Sequence, residues 1–323
     1  MSYPATPPRN LGLDLVRATE AAALAAGRWM GLGKPDEADN DATEAMFRTL
    51  NSFGMEGHIV IGEEGKLGRH SPLDSGAVVG TGDDPKVDVV VDPIDGRKRL
   101  ALGYSDAMAV VGVAPLGSML SVAPAVYMDK IVVDRSAAKA MVPECMHAPA
   151  AWTLALVARM KNKPVRDLVV FVLDRPRHED LIEEIRTAGA RVLLRSDGDI
   201  AGALMAAYPG SGVDLLMGTG GVAEGVIAAC AVNAMGGMML ARLAPQSQEE
   251  LAAVQAAGLD INKVLDGGDL VHSDRIFFAA TGITDGLLLS GVRYQGPEAE
   301  TNSLVLRAET GTRRIIRTVH RLE

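Results

Sequence analysis

Apolar side chains recur at helical spacing in the first part of this chain of 323 residues. Residues 11–30 place leucine and alanine on one stripe, which predicts a long amphipathic helix. Residues 31–36 contain two glycines and a proline and interrupt that pattern. Residues 41–51 predict a second helix, with Asp39 or Asn40 as its N-cap.

Short apolar runs then replace the helical spacing and predict strands. Residues 58–62 form the first such run, and residues 66–86 are rich in glycine, proline and aspartate, as expected of a loop. Residues 87–91 and 107–114 predict two neighbouring strands. Between them, the turn Asp-Pro-Ile-Asp-Gly at 92–96 places two carboxylates three residues apart at the end of a strand.

A strand–loop–helix order runs through the second half of the chain, after a helix predicted at 148–160. Strands are predicted at 168–173, 191–194 and 214–217, followed by helices at 179–188, 200–207 and 223–235. This rhythm predicts a parallel, doubly wound α/β sheet with ligand groups at its strand ends. Further strands are predicted at 275–280, 303–307 and 312–320.

Composition narrows the class of protein. The formal net charge of −9 and the pI of about 5.3 argue against a surface that coats nucleic acid or an anionic membrane. Cys145 and Cys230 lack metal-ligand spacing and are expected to be reduced structural thiols. The sequence has no signal-peptide pattern and no apolar run of membrane-spanning length, so the protein is expected to be soluble and cytoplasmic.

Acidic residues stand at the ends of predicted elements, beside glycines. They are Asp39, Glu63, Asp92, Asp95 and Glu224. Carboxylate oxygens in such positions suit Mg²⁺ or Mn²⁺ together with water and a phosphate oxygen. Two such ions would activate a water and neutralise a departing alkoxide. The alternative interpretation is that these acids are helix caps and turn formers.

Basic and glycine-rich segments offer an anion site. Arg175 and Arg177 flank a proline, and guanidinium groups bind phosphate through two parallel hydrogen bonds. The alternative is a solvated cluster of loop charges. Glycines at 218–221 are predicted to open a helix and to expose backbone N–H groups to an anion. No dinucleotide or Walker motif occurs, and no histidine has metal-ligand spacing, although His178 next to the arginines is a possible exception.

Eight segments, taken in order, resemble the class II fructose-1,6-bisphosphatase family of the lithium-sensitive, metal-dependent sugar phosphatase superfamily. They are RATEAAA at 17–23, IVIGE at 59–63, VDPIDG at 91–96, YMDKI at 127–131, DRPRH at 174–178, DGD at 197–199, GGVAEG at 220–225 and ATGIT at 280–284. These segments span nearly the whole chain, so their shared order is more specific than any single motif.

The resemblance implies a layered α/β/α/β/α sandwich of two packed α/β domains with the site between them. Residues 1–160 would form a metal-binding domain and residues 161–323 a sugar-phosphate-binding domain, unless the C-terminal strands pack back on the first. One metal site would contain Asp39 and Glu63. The other would contain Asp92, Asp95 and Glu224.

The resemblance also implies the substrate and the residues that bind it. The groups matching the family's sugar-phosphate ligands are Tyr127, Arg175, Arg177, Asp197, Asp199 and Gly221, and the turn adds Asp95, Gly96 and Arg97. The family hydrolyses the 1-phosphate of fructose 1,6-bisphosphate, and in some members of sedoheptulose 1,7-bisphosphate, with water activated by Mg²⁺ or Mn²⁺. A homo-oligomer, either a dimer or a tetramer, is also implied.

The chain departs from the family pattern around the metals. Arg97 stands where the family usually has a threonine, whose hydroxyl helps bind metal and the scissile phosphate. Glu63, Asp92, Asp95 and Arg97 are the candidate catalytic residues. Three interpretations follow: an ordinary sugar phosphatase, an enzyme with altered substrate or chemistry in which Arg97 replaces one cation, or a non-catalytic sugar-phosphate-binding paralogue.

Overall fold

Two β-sheets and their flanking helices make up the fold. The computed structural model describes residues 10–63 and 70–322. The helices are α1 (Leu11–Gly27), α2 (Pro35–Leu50), α3 (Arg97–Ala101), α4 (Ala150–Lys161), α5 (Glu179–Thr187), α6 (Asp199–Ala207), α7 (Val222–Ala234), α8 (Gln248–Ala256) and α9 (Gly267–Leu270).

The strands lie between these helices along most of the chain. They are β1 (Glu56–Ile61), β2 (Val78–Val79), β3 (Lys86–Asp95), β4 (Met108–Pro115), β5 (Tyr127–Val133), β6 (Val169–Leu173), β7 (Arg191–Arg195), β8 (Leu215–Gly221), β9 (Met238–Leu243), β10 (Leu265–Asp266), β11 (Phe277–Gly282), β12 (Arg293–Gln295), β13 (Glu298–Arg307) and β14 (Thr312–Arg321).

Each sheet combines strands that are distant in sequence. The first sheet has the order β12-β13-β11-β4-β3-β1-β2, and β14 pairs with β13. The second sheet has the order β10-β9-β5-β8-β6-β7. Strand β5 therefore lies in the second sheet and β11 to β14 in the first, while the division of the chain at residue 160 into two domains stays a prediction.

The second sheet is mixed, so the prediction of a parallel sheet is wrong for half of it. Strands β8, β6 and β7 run parallel, as the strand–loop–helix rhythm predicts. Strand β5 is antiparallel to both β8 and β9. The rhythm could not show this, because β5 comes before α4, outside the strand–loop–helix repeat, and its partners β8 and β9 are distant in sequence.

Three apolar cores show that the layers alternate as α/β/α/β/α. Helices α1 and α2 pack on the outer face of the first sheet. Helices α6 and α7 fill the space between the two sheets. Helices α4 and α5 cover the outer face of the second sheet. The layered sandwich implied by the resemblance is therefore present in the structure.

Strand β3 is central because it is buried on both faces. Val89 and Val91 point into the outer core beneath α1 and α2, whereas Val90 points into the core shared with α7. Successive side chains of a strand point to opposite faces, so burial on both sides requires an unbroken apolar run. This run carries the chain directly to Asp92 and Asp95.

Helix α2 begins earlier than the sequence pattern predicts. Pro35 occupies its first turn, where the missing N–H has no helical partner to lose. Asp39 therefore lies inside the helix and is 1% exposed, so the expectation that it or Asn40 caps the helix is wrong. The predicted loop at 66–86 lies partly outside the described residues and contains β2. Among the described residues, no helix is long and apolar enough to cross a membrane.

Both cysteines are buried, and burial raises the pKa of Cys230 to about 12. Only the thiolate reacts readily with disulfide reagents, so the native Cys230 thiol should be almost inert. We predict that Ellman's reagent at pH 8 modifies the folded protein slowly and titrates two thiols after unfolding in guanidinium. Rapid modification of Cys230 in the folded protein would contradict its burial in the core between the two sheets.

Candidate active site

The end of strand β3 forms a bulged turn that positions its two aspartates. The pairing with β4 shifts register between Asp92 and Asp95. Asp92 Oδ1 accepts a hydrogen bond of 3.0 Å from the Ile94 N–H. Asp95 Oδ2 accepts one of 2.9 Å from the Ala201 N–H in the first turn of α6. The turn therefore ties the first sheet to the helix layer between the sheets.

Gly96 ends this turn in the left-handed conformation, with a φ of 88°. A side chain there would be strained, so glycine allows the chain to reverse within one residue. Helix α3 begins at the next residue, Arg97. The strand continues to Asp95 and does not end at Val91, so both aspartates are held by the sheet.

Negative charge is concentrated around Asp95. Burial raises its pKa well above the ordinary value, and the carboxylates of Asp92, Asp197 and Asp199 raise it further. The hydrogen bond from the Ala201 N–H acts in the opposite direction. Asp92 lies in β3 of the first sheet, Asp197 follows β7 of the second sheet and Asp199 begins α6, so the site brings together parts of the chain that are far apart in sequence.

A cleft of about 570 Å³ contains all six residues that the resemblance assigns to sugar-phosphate binding. They are Tyr127, Arg175, Arg177, Asp197, Asp199 and Gly221, and Glu224 also lines the cleft. Tyr127 and Gly221 are paired residues of β5 and β8. Two guanidinium groups and several carboxylates in one cleft suit a ligand that carries both a phosphate and hydroxyl groups.

Arg177 is held in a defined direction. Its Nη2 and Nε donate hydrogen bonds of 2.9 and 3.3 Å to the Thr219 carbonyl oxygen. Its guanidinium also lies 5.2 Å from the centre of the Tyr127 ring, within range of a cation–π interaction. An arginine positioned in this way loses less side-chain entropy when it binds a phosphate.

His178 supports this loop as a neutral imidazole. Its Nε2 accepts a 2.8 Å hydrogen bond from the Thr219 N–H, so its Nδ1 carries the proton and donates to the Leu173 carbonyl oxygen at 2.7 Å. Burial lowers the pKa of His178, which is 2% exposed. Both ring nitrogens are used by the backbone, so the histidine has a structural task in this loop.

Helix α7 opens directly after the glycines at 218–221, as predicted, while anion binding by their N–H groups stays a prediction. These glycines belong to β8, whose backbone pairs with β5 through Gly221, and α7 begins at Val222. A Cβ added to Gly220 would lie 1.9 Å from Asp199 Oδ2 and 2.5 Å from Lys130 Nζ. Glycine is needed here because polar side chains approach the strand closely.

Lys130 is a site residue that the sequence analysis did not select. It is 3% exposed, and its ammonium group forms an ion pair with Asp199 and lies 3.3 Å from the Gly221 carbonyl oxygen. A lysine inside an apolar strand is a signal in its own right, since lysine is almost never fully buried unless it is paired. Lys130 thereby holds Asp199 at the cleft.

A second cavity, of about 360 Å³, contains the other predicted metal pair. Asp39 and Glu63 line it, together with Glu44 and His70. The guanidinium Nη1 of Arg97 lies 3.7 Å from Asp39 Oδ2. Arg97 therefore places a positive charge beside the Asp39 carboxylate.

The five predicted metal ligands lie in different parts of the site: Asp39 and Glu63 line the second cavity, Glu224 lines the cleft, and Asp92 and Asp95 lie at the end of β3. Among residues 10–63 and 70–322, no three histidine, cysteine, aspartate or glutamate side chains are arranged as a ready-made metal cage. Mg²⁺ is commonly held by one or two carboxylates, with waters and substrate phosphate as its other ligands. The hard oxygen donors and concentrated negative charge near Asp95 fit a cation of that kind, whereas the Arg97 charge opposes one at Asp39.

The comparisons with known proteins agree with the order of the motifs. The family model of bacterial, glpX-encoded fructose-1,6-bisphosphatase matches residues 9–320. The chain belongs to this family. Fructose-1,6-bisphosphatase 1 class 2 of Escherichia coli strain K12 is 38% identical over 328 residues, which cover 98% of this chain and 96% of that protein. The class 2 enzyme of Shigella flexneri gives the same values.

Solved structures give a weaker likeness. An extragenic suppressor from Pyrococcus furiosus aligns with a TM-score of 0.32 and 10% identity over 61% of this chain and 68% of its own. SuhB from Bartonella henselae aligns with a TM-score of 0.34 and 12% identity over 61% and 73%. These two alignments add nothing to the assignment. Family membership makes this protein a phosphoric monoester hydrolase that acts on a sugar phosphate.

The Lys130–Asp199 pair gives a prediction about stability. Replacing Lys130 by methionine leaves the Asp199 carboxylate without its buried cation, which should lower the free energy of unfolding by about 3–5 kcal/mol. Denaturant titrations would measure the loss. The double variant Lys130→Met/Asp199→Asn should lose less than the sum of the two single variants, because it removes both charges. Additive losses would contradict the pairing.

Proposed function

We propose that this protein hydrolyses the 1-phosphate of fructose 1,6-bisphosphate with the help of a divalent cation, Mg²⁺ or Mn²⁺. The observation that supports this most is the cleft itself, which gathers the arginines, carboxylates and tyrosine expected for a sugar phosphate. The names of the related enzymes from Escherichia coli and Shigella flexneri specify the substrate. Family membership alone would leave the substrate within a broader class of sugar phosphates.

The arginines provide the contacts for the phosphate that stays on the sugar. Arg177 is oriented by the Thr219 carbonyl oxygen and the Tyr127 ring, and Arg175 lines the same cleft. Guanidinium forks bind phosphate bidentately, so this end of the cleft sets the position of the substrate. Asp197 and Asp199 lie beside it and are suited to accept hydrogen bonds from sugar hydroxyls.

The carboxylates provide the opposite end of the site. Asp92 and Asp95 at the end of β3, with Glu224 in the first turn of α7, would hold the divalent cation. When bound, such a cation acts as a Lewis acid that activates water and neutralises phosphate charge. The sheet and the Ala201 N–H fix the Asp95 carboxylate relative to the cleft, and this preorganisation is the protein's own contribution.

Arg97 favours a second candidate function. A guanidinium beside Asp39 changes the charge of the site, so the substrate or the reaction could differ from that of the related enzymes. Sedoheptulose 1,7-bisphosphate is the first alternative to test, because it differs from fructose 1,6-bisphosphate by one carbon. The cytoplasmic location and the dimeric or tetrameric assembly also stay predictions from the resemblance.

Phosphate release is the test of the proposed function. We predict that the purified protein with Mn²⁺ or Mg²⁺ releases phosphate from fructose 1,6-bisphosphate, and that chelation by EDTA stops the reaction. Release from sedoheptulose 1,7-bisphosphate alone would support the second candidate. Absence of release from both substrates, with sugar phosphate still bound, would contradict hydrolysis and support a binding role.

Asp92 provides a matched pair of variants. Asp92→Asn should lower kcat by at least about 100-fold, because the amide removes a negative charge from the cation site. Asp88→Asn is the control, since Asp88 lies in the same strand, is equally buried at 3% exposure, and accepts the Met119 N–H at 2.9 Å. The control should retain most of the turnover, as asparagine can accept the same hydrogen bond. Equal kcat in both variants would contradict the role of Asp92.

A further inference from the structure

The side chain of Arg97 lies against two acidic residues of helix α2. Its Nη1 is 3.7 Å from Asp39 Oδ2 and 3.9 Å from Asp36 Oδ1. The two aspartates are three residues apart and so share one face of the helix. The Asp39 side chain is 2% exposed and that of Asp36 is 72% exposed, so the guanidinium spans from a buried carboxylate to an exposed one.

The backbone at the start of α3 sets the position of the Arg97 side chain. Arg97 is the first residue of α3 and follows Gly96, whose left-handed conformation turns the backbone out of β3. The Arg97 side chain is 26% exposed, so it lies at the border between the protein interior and solvent. Helix α3 begins two residues after Asp95 and contacts α2, so the base of the Arg97 side chain is close to both the end of β3 and α2.

A buried carboxylate needs a cation or hydrogen-bond donors close by to stay ionised, and a metal ion or a guanidinium can serve as the cation. Arginine stays protonated at any physiological pH, so its charge is permanent. A divalent ion that used the same Asp39 oxygen would experience repulsion from Arg97 at a similar distance. The two cations therefore compete for one carboxylate.

We infer that Arg97 is a built-in cation that takes the place of a divalent ion at the Asp39–Glu63 end of the site. Divalent-ion binding is then left to the carboxylates of Asp92, Asp95 and Glu224; this second statement rests on the proposed function. Arg97 supplies a positive charge beside Asp39. The protein therefore binds fewer divalent ions than the number of acidic residues in its site indicates.

Manganese binding without substrate tests the inference. Mn²⁺ bound per chain would be measured by equilibrium dialysis, with free Mn²⁺ read by electron paramagnetic resonance. Arg97→Met removes the charge, offers no oxygen ligand and keeps a side chain of similar length. This variant should bind one more Mn²⁺ per chain than the wild type, or bind its weakest Mn²⁺ about tenfold or more tightly.

Three further variants act as controls. Arg97→Lys keeps the positive charge and should bind Mn²⁺ like the wild type. Lys98→Met removes a charge from the neighbouring exposed residue of α3 and should also leave the number of bound ions unchanged. The double variant Arg97→Met/Asp39→Asn should lose the additional Mn²⁺. Equal binding by Arg97→Met and the wild type would overturn the inference.

The single variant Asp39→Asn keeps the test decisive if Arg97→Met does not fold. In the presence of Arg97, this variant should bind as many Mn²⁺ ions as the wild type, and loss of an ion would overturn the inference. Hydrolysis of fructose 1,6-bisphosphate by the wild type is measured separately. Failure of that reaction would refute the proposed function, while the Mn²⁺ counts would still decide whether Arg97 replaces an ion at Asp39.

Discussion

The balance of buried charge at the junction of the two sheets is the constraint on which this site depends. Strand β3 brings Asp92 and Asp95 into the interior, where Asp197 and Asp199 add further negative charge. Buried carboxylates are tolerated only when cations or hydrogen-bond donors compensate them. The chain supplies part of that compensation itself, through the ammonium group of Lys130 at Asp199.

Buried negative charge is compensated differently at the two ends of the site. Around the cleft, an ion pair and a backbone donor hold carboxylates in place, and two arginines line the cleft. At Asp39, the compensating charge is a guanidinium from α3.

Much of the fold could be predicted from the sequence, because its strongest signals are local. The apolar run of β3 and the helical stripe of α1 depend on period alone, and both elements lie where the pattern places them. The segment 218–221 is predicted as a loop but belongs to strand β8, because glycine marks both loops and close packing against a strand. The antiparallel position of β5 depends on partners distant in sequence, which no local pattern records.

The residues of the candidate site could be predicted from the sequence, whereas the contacts between them could be predicted less well. The family motifs single out six of the residues that line the cleft, although their roles stay predictions. The sequence does not identify Lys130 as a site residue, because its role depends on Asp199, which lies 69 residues away. Arg97 was identified as an unusual residue, but only the structure shows that its charge lies beside Asp39.

The most direct measurement is a crystal structure of the wild-type protein with Mn²⁺ and fructose 1,6-bisphosphate, with manganese located by anomalous scattering. The account predicts manganese at Asp92, Asp95 and Glu224, a substrate phosphate on Arg175 and Arg177, and the Arg97 guanidinium against Asp39. Manganese coordinated by Asp39, with Arg97 turned away from it, would contradict the account.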